Sequence, residues 1–241
     1  MVNWSQMHDC YGDVDRVPVL LERVELEDDA EAWEELGYRL VLECDLVLPA
    51  GFAALPRLTR LASRSASARG LAGTILRRAA GHHGCDDLLA QCTDAIAEFR
   101  ESLDQYLRSR PDDYLTVFRD ALAAMGEYHW SAVLGDFGDD FYDPACPGCD
   151  AEVTIAIGEY GRYSAVRDWN LGDVHRRDLR PASFEELSGV GRWMYATAVR
   201  DGRKTLADGI AHLFGKAECP CCGSVFGIAD AYTSANRPVL R

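Results

Sequence analysis

Two short cysteine pairs carry the most specific chemistry in this chain: Cys146-Pro-Gly-Cys149 and Cys219-Pro-Cys-Cys222-Gly. A two-residue gap lets both sulfurs of a pair turn toward one ion. Two such pairs complete a tetrahedral, all-thiolate set of the kind that holds zinc. Four thiolates leave no open coordination position for water, so the expected role of Zn2+ on Cys146, Cys149, Cys219 and Cys222 is structural. Iron suits the same four sulfurs and a disulfide would use two of them, so both remain alternatives. Cys221 lies between two of the four and is a further candidate ligand, although the C-x-x-C spacing favours its neighbours. A redox C-x-x-C normally opens a helix, whose dipole lowers the thiol pKa. Cys149 instead leads into alternating, strand-like sequence.

Other chemistry is hard to find. The chain has no G-x-G-x-x-G or Walker loop, no G-x-S-x-G elbow and no H-E-x-x-H. A zinc deaminase needs proline directly before its first paired cysteine, but Ala145 and Glu218 occupy those places. His82-His83 sits in a Gly-His-His-Gly loop with no obvious orienting group for acid–base work. His8, Asp9 and Cys10 are equally unsupported, and His129-Trp130 reads as core and rim of a helix.

The elements that must position these residues fall into two halves. From about Pro18 to Leu134 the apolar spacing is helical: Trp33, Leu36 and Leu40; Phe52, Leu55, Leu58 and Leu61; Leu71, Ile75 and Leu76. Pro18 to Val24 opens an earlier helix, and Leu88 through Leu107 and Tyr114 through Met125 extend the pattern, giving six expected helices. The turn-rich, acidic run Gly135-Asp-Phe-Gly-Asp-Asp-Phe-Tyr-Asp-Pro144 marks the expected domain boundary. We therefore expect an α+β chain with an all-α domain over 1–140 and a cysteine-bearing α+β domain over 141–241. In the second, Val153, Ile155 and Ile157 alternate, Gly158-Glu-Tyr-Gly161 supplies a turn, and Tyr163 to Trp169 returns as a strand. Ser183-Phe-Glu-Glu186 has the form of a capping box opening a helix with Leu187, Val190 and Met194. A second helix carries Leu206, Ile210 and Leu213 and stops at Gly215, and Val225-Phe-Gly-Ile reads as a strand.

Two resemblances follow. Pro18-Val-Leu-Leu-Glu-Arg-Val recurs loosely as Pro56-Arg-Leu-Thr-Arg-Leu-Ala, and two helices per unit at a period near forty resemble HEAT or armadillo repeats. The P-x-L-x-x-L that often starts one helix of each such pair is complete at Pro56–Leu61. The paired cysteines, each with proline after the first and with strand-like sequence after the second, resemble the knuckles of zinc ribbons. Asp150 and Gly223 stand where a knuckle needs a left-handed residue. The long insert between the pairs, a hairpin and two helices, departs from the common ribbon.

Charge bears on partners. The 241 residues carry a net charge of −14 and a pI near 4.8, which opposes general nucleic-acid binding and suits solubility or a basic partner. Residues 22–35 hold eight acids, Glu27, Asp28 and Asp29 among them. Residues 46–85 hold no acid but six arginines, including Arg57, Arg60, Arg64, Arg77 and Arg78. The two stretches either satisfy one another or line a groove that grips a partner. The N-terminus has no apolar signal segment and no stretch fits a membrane span, so reduced thiols in the cytoplasm are the expectation. The layout resembles actinobacterial proteins with a short helical-repeat half and paired cysteine knuckles. That resemblance implies a protein-binding role, of which toxin immunity is one form. A nucleic-acid-associated protein using the Arg57–Arg78 stretch and an enzyme of unrecognised type are the alternatives.

Overall fold

A computed structural model describes residues 4, 7–12, 14–42, 46–79, 86–166 and 175–236. His82, His83, Cys44, Cys85 and Trp169 lie outside the described residues. The chain is mixed α+β and divides into two compact units, Met1–Leu134 and Gly135–Arg241.

The first unit is helical. In chain order it contains α1 (Arg16–Glu27), α2 (Ala30–Leu40), α3 (Pro49–Leu61), α4 (Ala66–Arg77), α5 (Asp86–Gln91), α6 (Thr93–Arg108), α7 (Tyr114–Ala124) and α8 (Tyr128–Val133). Helix α1 packs on α2, α3 on α4 and α6 on α7. Helix α3 also meets α1 and α6, and α4 meets α7, so three helical hairpins stack. Most of the stripe that the sequence periodicity marks is buried, Leu36 and Leu40 on α2 and Phe52, Leu55 and Leu58 on α3 among it, while Leu71 on α4 and Ile96 on α6 are half-buried. Local chemistry sets the starts: Asp29 caps α2 by accepting from Ala32 N at 3.1 Å, and Ser65 caps α4 by accepting from Ala68 N at 3.3 Å.

Three expectations need correcting here. The run expected as one helix from Leu88 to Leu107 breaks at Cys92 into α5 and α6. A separate α8 follows α7, because Gly126 takes φ +80° and turns the chain. Pro56 does not start a helix. Helix α3 opens at Pro49, so Pro56 lies in its interior while Pro18 lies in the first turn of α1, and the sequence echo does not join equivalent positions. Proline in mid-helix deprives the carbonyl four residues back of its donor. That carbonyl, Phe52 O, accepts the buried Cys92 thiol at 3.7 Å.

Two ion pairs in this unit rest on buried carboxylates, Arg39 with Asp9 and Arg77 with Asp120. Arg77 of α4 reaches the carboxylate of Asp120 on α7, whose exposure is 1%. Burial, then the charges of Arg119 and Arg78, pull Arg77 down to about 10, which leaves it cationic at neutral pH. Gly73 admits the carboxylate, because a β-carbon there would overlap it.

The second unit is built on an antiparallel sheet ordered β1 (Asp139–Tyr142), β2 (Thr154–Gly158), β3 (Gly161–Ala165) and β4 (Arg177–Asp178). Strand β1 is formed by part of the acidic run in which the domain boundary was expected. Gly158 pairs with Gly161 across a two-residue turn, with φ of +145° and +127°. Ile155 and Ile157 on β2 are buried as expected, but Ala156 between them is buried as well, so both faces of the strand are covered. Helices α9 (Gly189–Arg200) and α10 (Lys204–Leu213) follow, then a second ribbon of β5 (Lys216–Glu218) and β6 (Val225–Gly227), and α11 (Ile228–Ala235). Glu186 does reach back to Ser183 N at 2.9 Å, but the chain makes only a turn there and α9 begins at Gly189. Strand β5 meets the larger sheet through a bridge between Arg180 and Lys216. Gly215 permits that approach, since a β-carbon on it would overlap the Arg180 carbonyl. No helix among the described residues is long and apolar enough to cross a membrane.

Candidate metal centre

The two cysteine pairs form two knuckles with the same hydrogen-bond pattern. In the first, Cys146 N donates to Ala151 O at 2.8 Å and Asp150 N donates to Cys146 O at 2.8 Å. In the second, Cys219 N donates to Ser224 O at 2.9 Å and Gly223 N donates to Cys219 O at 2.8 Å. Asp150 takes φ +57° and Gly223 φ +75°, the left-handed conformation that bends each loop around its sulfurs. The first knuckle is held by a bridge between Ala145 and Glu152, and the second closes the β5–β6 ribbon. Gly148 has no side chain to obstruct Ser224, whose hydroxyl sits against the Cys222 sulfur at 3.2 Å.

These knuckles face each other. Cys146 Sγ lies 3.7 Å from Cys222 Sγ and Cys149 Sγ 3.9 Å from Cys219 Sγ, and all four sulfurs fall within 4.8 Å of one another. Sulfurs at the ~2.3 Å bond length of a tetrahedral thiolate site stand about 3.8 Å apart, so the donor set fits one such ion. A disulfide needs about 2.05 Å between sulfurs, well inside either separation. Cys146 and Cys219 are buried while Cys149 and Cys222 are exposed, so one side of the cluster looks inward and the other meets water.

The sulfurs differ in their electrostatics. The Ser224 hydroxyl and backbone N–H pull Cys222 down to about 6. Burial pushes Cys146 up. The Ala151 N–H pulls on Cys149, but neighbouring Cys222, burial and the remaining sulfurs push it up to about 12. Zinc on this set would draw all four as thiolates and supply cross-linking without an open position. Cys221, exposed at the tip of the second knuckle, is not one of the four clustered sulfurs.

One further acidic group lies among the described residues. Asp136 and Asp140 accept from Gly138 N and Phe137 N within the turn that enters β1, with Asp139 beside them.

The candidate partner-binding residues are more dispersed. Arg57 is closed on Glu25, Arg64 donates to the Glu25 carbonyl at 3.1 Å, and Arg60 donates to Pro56 O at 2.9 Å. Arg77 is taken by Asp120, and Arg78 lies beside it at the end of α4. Asp28 accepts from the Trp33 indole at 2.6 Å and from Ser65 at 3.1 Å, and Asp29 caps α2 and pairs with Arg23. Glu27 is exposed. The structure adds two stripes that sequence reading missed. Val19, Glu22 and Leu26 share the outer face of α1, and Glu31, Glu34 and Tyr38 share that of α2. Leu26 is 83% exposed and Tyr38 57%. The signal was available as apolar residues out of phase with the core stripe.

The chain matches no family model, no curated protein and no solved structure.

Proposed function

We propose that this protein is a non-catalytic macromolecule-binding protein, a HEAT-like helical array followed by an elaborated zinc ribbon with a structural four-cysteine zinc site. Its partner is a basic protein, as a toxin-immunity role would require. The observation that carries this reading is the α1–α2 hairpin, whose exposed surface combines four acids, Glu22, Glu27, Glu31 and Glu34, with exposed Leu26 and Tyr38. Apolar anchors ringed by one sign of charge suit a partner of the opposite sign, with charge guiding encounter and apolar contact holding the complex. The stacking of three helical hairpins supports the array, and the matched knuckles support the ribbon. Four sulfurs that converge on one point are enough to fill a zinc ion's coordination, which speaks for a structural role and against metal-based catalysis.

A capture experiment tests this reading. Immobilised wild-type protein should retain a basic protein from the native cell. The variant carrying Glu22→Lys, Glu27→Lys, Glu31→Lys and Glu34→Lys should not, and retention should weaken as salt is raised. Equal retention by the two baits, or no enriched protein, would remove the proposal. The arginine-based nucleic-acid reading is not favoured, because Arg57 and Arg77 are already held by carboxylates.

A further inference from the structure

Beside the first knuckle lies a groove of roughly 440 Å3 that none of the foregoing uses. One wall is the knuckle itself, with Pro147 and Asp150. The other is the junction of β6 and α11, with Phe226, Asp230, Ala231 and Ser234. Phe226 is buried, whereas Asp150 and Asp230 are both exposed. Among the described residues, no lysine, arginine or histidine lines the groove. The C-terminal end of α11, at Ser234 and Ala235, adds the negative end of a helix dipole. An apolar trough with two carboxylates, and no opposing cation among the described residues, matches one kind of side chain well: a long aliphatic stem ending in a positive charge.

We propose that this groove binds an extended peptide segment of a partner protein through a lysine or arginine side chain, with the stem along Phe226 and Ala231 and the charge at Asp150 and Asp230. Binding depends on the metal. Cys146 itself lines the groove, and the cluster ties the first knuckle to the ribbon whose second strand leads into α11. Without that tie the two walls have no fixed separation. This inference rests on the metal centre and not on the α1–α2 hairpin, which belongs to the other unit.

The test uses the full chain and an array of random hexapeptides in which one central position is fixed as lysine, arginine, norleucine or glutamate. Lysine- and arginine-centred peptides should bind with Kd below 1 mM, at least tenfold tighter than the norleucine set. The double variant Asp150→Asn, Asp230→Asn, altered only at exposed positions, should lose at least tenfold in affinity while keeping about one zinc per chain. Ala231→Trp, which fills the groove, and chelation of the metal should each abolish binding. The Glu22→Lys, Glu27→Lys, Glu31→Lys, Glu34→Lys variant should bind these peptides as the wild type does, which separates failure here from failure of the capture experiment. The proposal falls if norleucine peptides bind equally well, if the double Asn variant or the stripped protein keeps its affinity, or if no peptide binds below 1 mM. It also falls if sedimentation shows a dimer that Ala231→Trp dissolves, which would make a second copy the occupant. A chain ending at Asn236 that binds peptide more than tenfold tighter would overturn it as well, in favour of the protein's own last residues.

Discussion

Arg57 closes on Glu25 in a two-pronged clasp, with Nε 2.7 Å from Oε1 and Nη2 2.6 Å from Oε2. The residues stand 32 apart in sequence, one in the acidic stretch and the other in the arginine stretch. At this point the two runs of opposite charge neutralise each other between α1 and α3. The Arg57 hydrogen bonds hold the Glu25 carboxyl below its ordinary value of 4.5. A carboxylate with a depressed native pKa contributes stability above its unfolded value and loses it as pH falls through the native one. Wild type and Glu25→Gln should therefore differ in Tm at pH 7 and converge as pH falls through the lowered native value of the Glu25 carboxyl. A double-mutant cycle with Arg57→Ala should return a coupling of about 0.5–1 kcal/mol, as expected of a partly exposed pair. Equal Tm differences at pH 7 and pH 3 would contradict this account.

The Asp120 carboxylate sits in a different environment. With 1% exposure and Arg77 as its counter-ion, it cannot be relieved by water if the pair is broken. Asp120→Ala should destabilise the first unit by about 1–3 kcal/mol, because half-buried Arg77 loses its counter-ion and keeps only the Thr74 hydroxyl. Gly73→Ala should also destabilise, by about 1–3 kcal/mol, through overpacking against the same carboxylate. Urea titration followed by far-UV circular dichroism reads both. A loss under 1 kcal/mol for Asp120→Ala would mean that water reaches the site.

The cysteine cluster makes a compositional prediction. Pure, reduced protein should contain about one zinc per chain by elemental analysis. Cys146→Ser or Cys219→Ser, the two buried ligands, should lose the metal and the tertiary signal of the second unit, since such sites contribute about 10–16 kcal/mol in small domains. Cys221→Ser should retain both. Metal loss in Cys221→Ser would place that sulfur in the coordination set.

The Cys92 thiol offers a smaller test. Burial raises its pKa, so it remains a protonated donor to Phe52 O, the carbonyl left without its helical partner by Pro56. Cys92→Ala should cost about 1–3 kcal/mol through the cavity and the lost hydrogen bond. Adding Pro56→Ala should recover part of that, because a backbone N–H returns to the same carbonyl. Independent, additive effects in the pair would exclude the link.

What the sequence made legible follows from how local each determinant is. Asp150 and Gly223 were readable as left-handed positions because a knuckle needs them at a fixed offset from its second cysteine. Helical stripes such as Leu36 and Leu40 were readable from period alone. The Ser183–Glu186 pattern misled because half of a capping box can form over a turn, and the helix then waits for Gly189. Pro56 misled because a non-local donor, Cys92, compensates for it by bonding Phe52 O from forty residues along the chain. The fate of the charged runs was equally out of reach, since Glu25 meets Arg57 only after α1 and α3 pack. The groove is a product of the knuckle and α11 together, and neither sequence stretch announces it.

The matched sulfurs Cys146 and Cys222 are 76 residues apart, and an entire hairpin and two helices lie between them. A cation captured early by one pair alone has only two of its four donors and is readily surrendered. Full coordination would await collapse of everything in between, so uptake of an ion here would come late in assembly. Time courses of zinc capture during refolding would then report when the intervening segment has settled. A cell short of the metal would accumulate chains with a finished helical front and an unlatched rear.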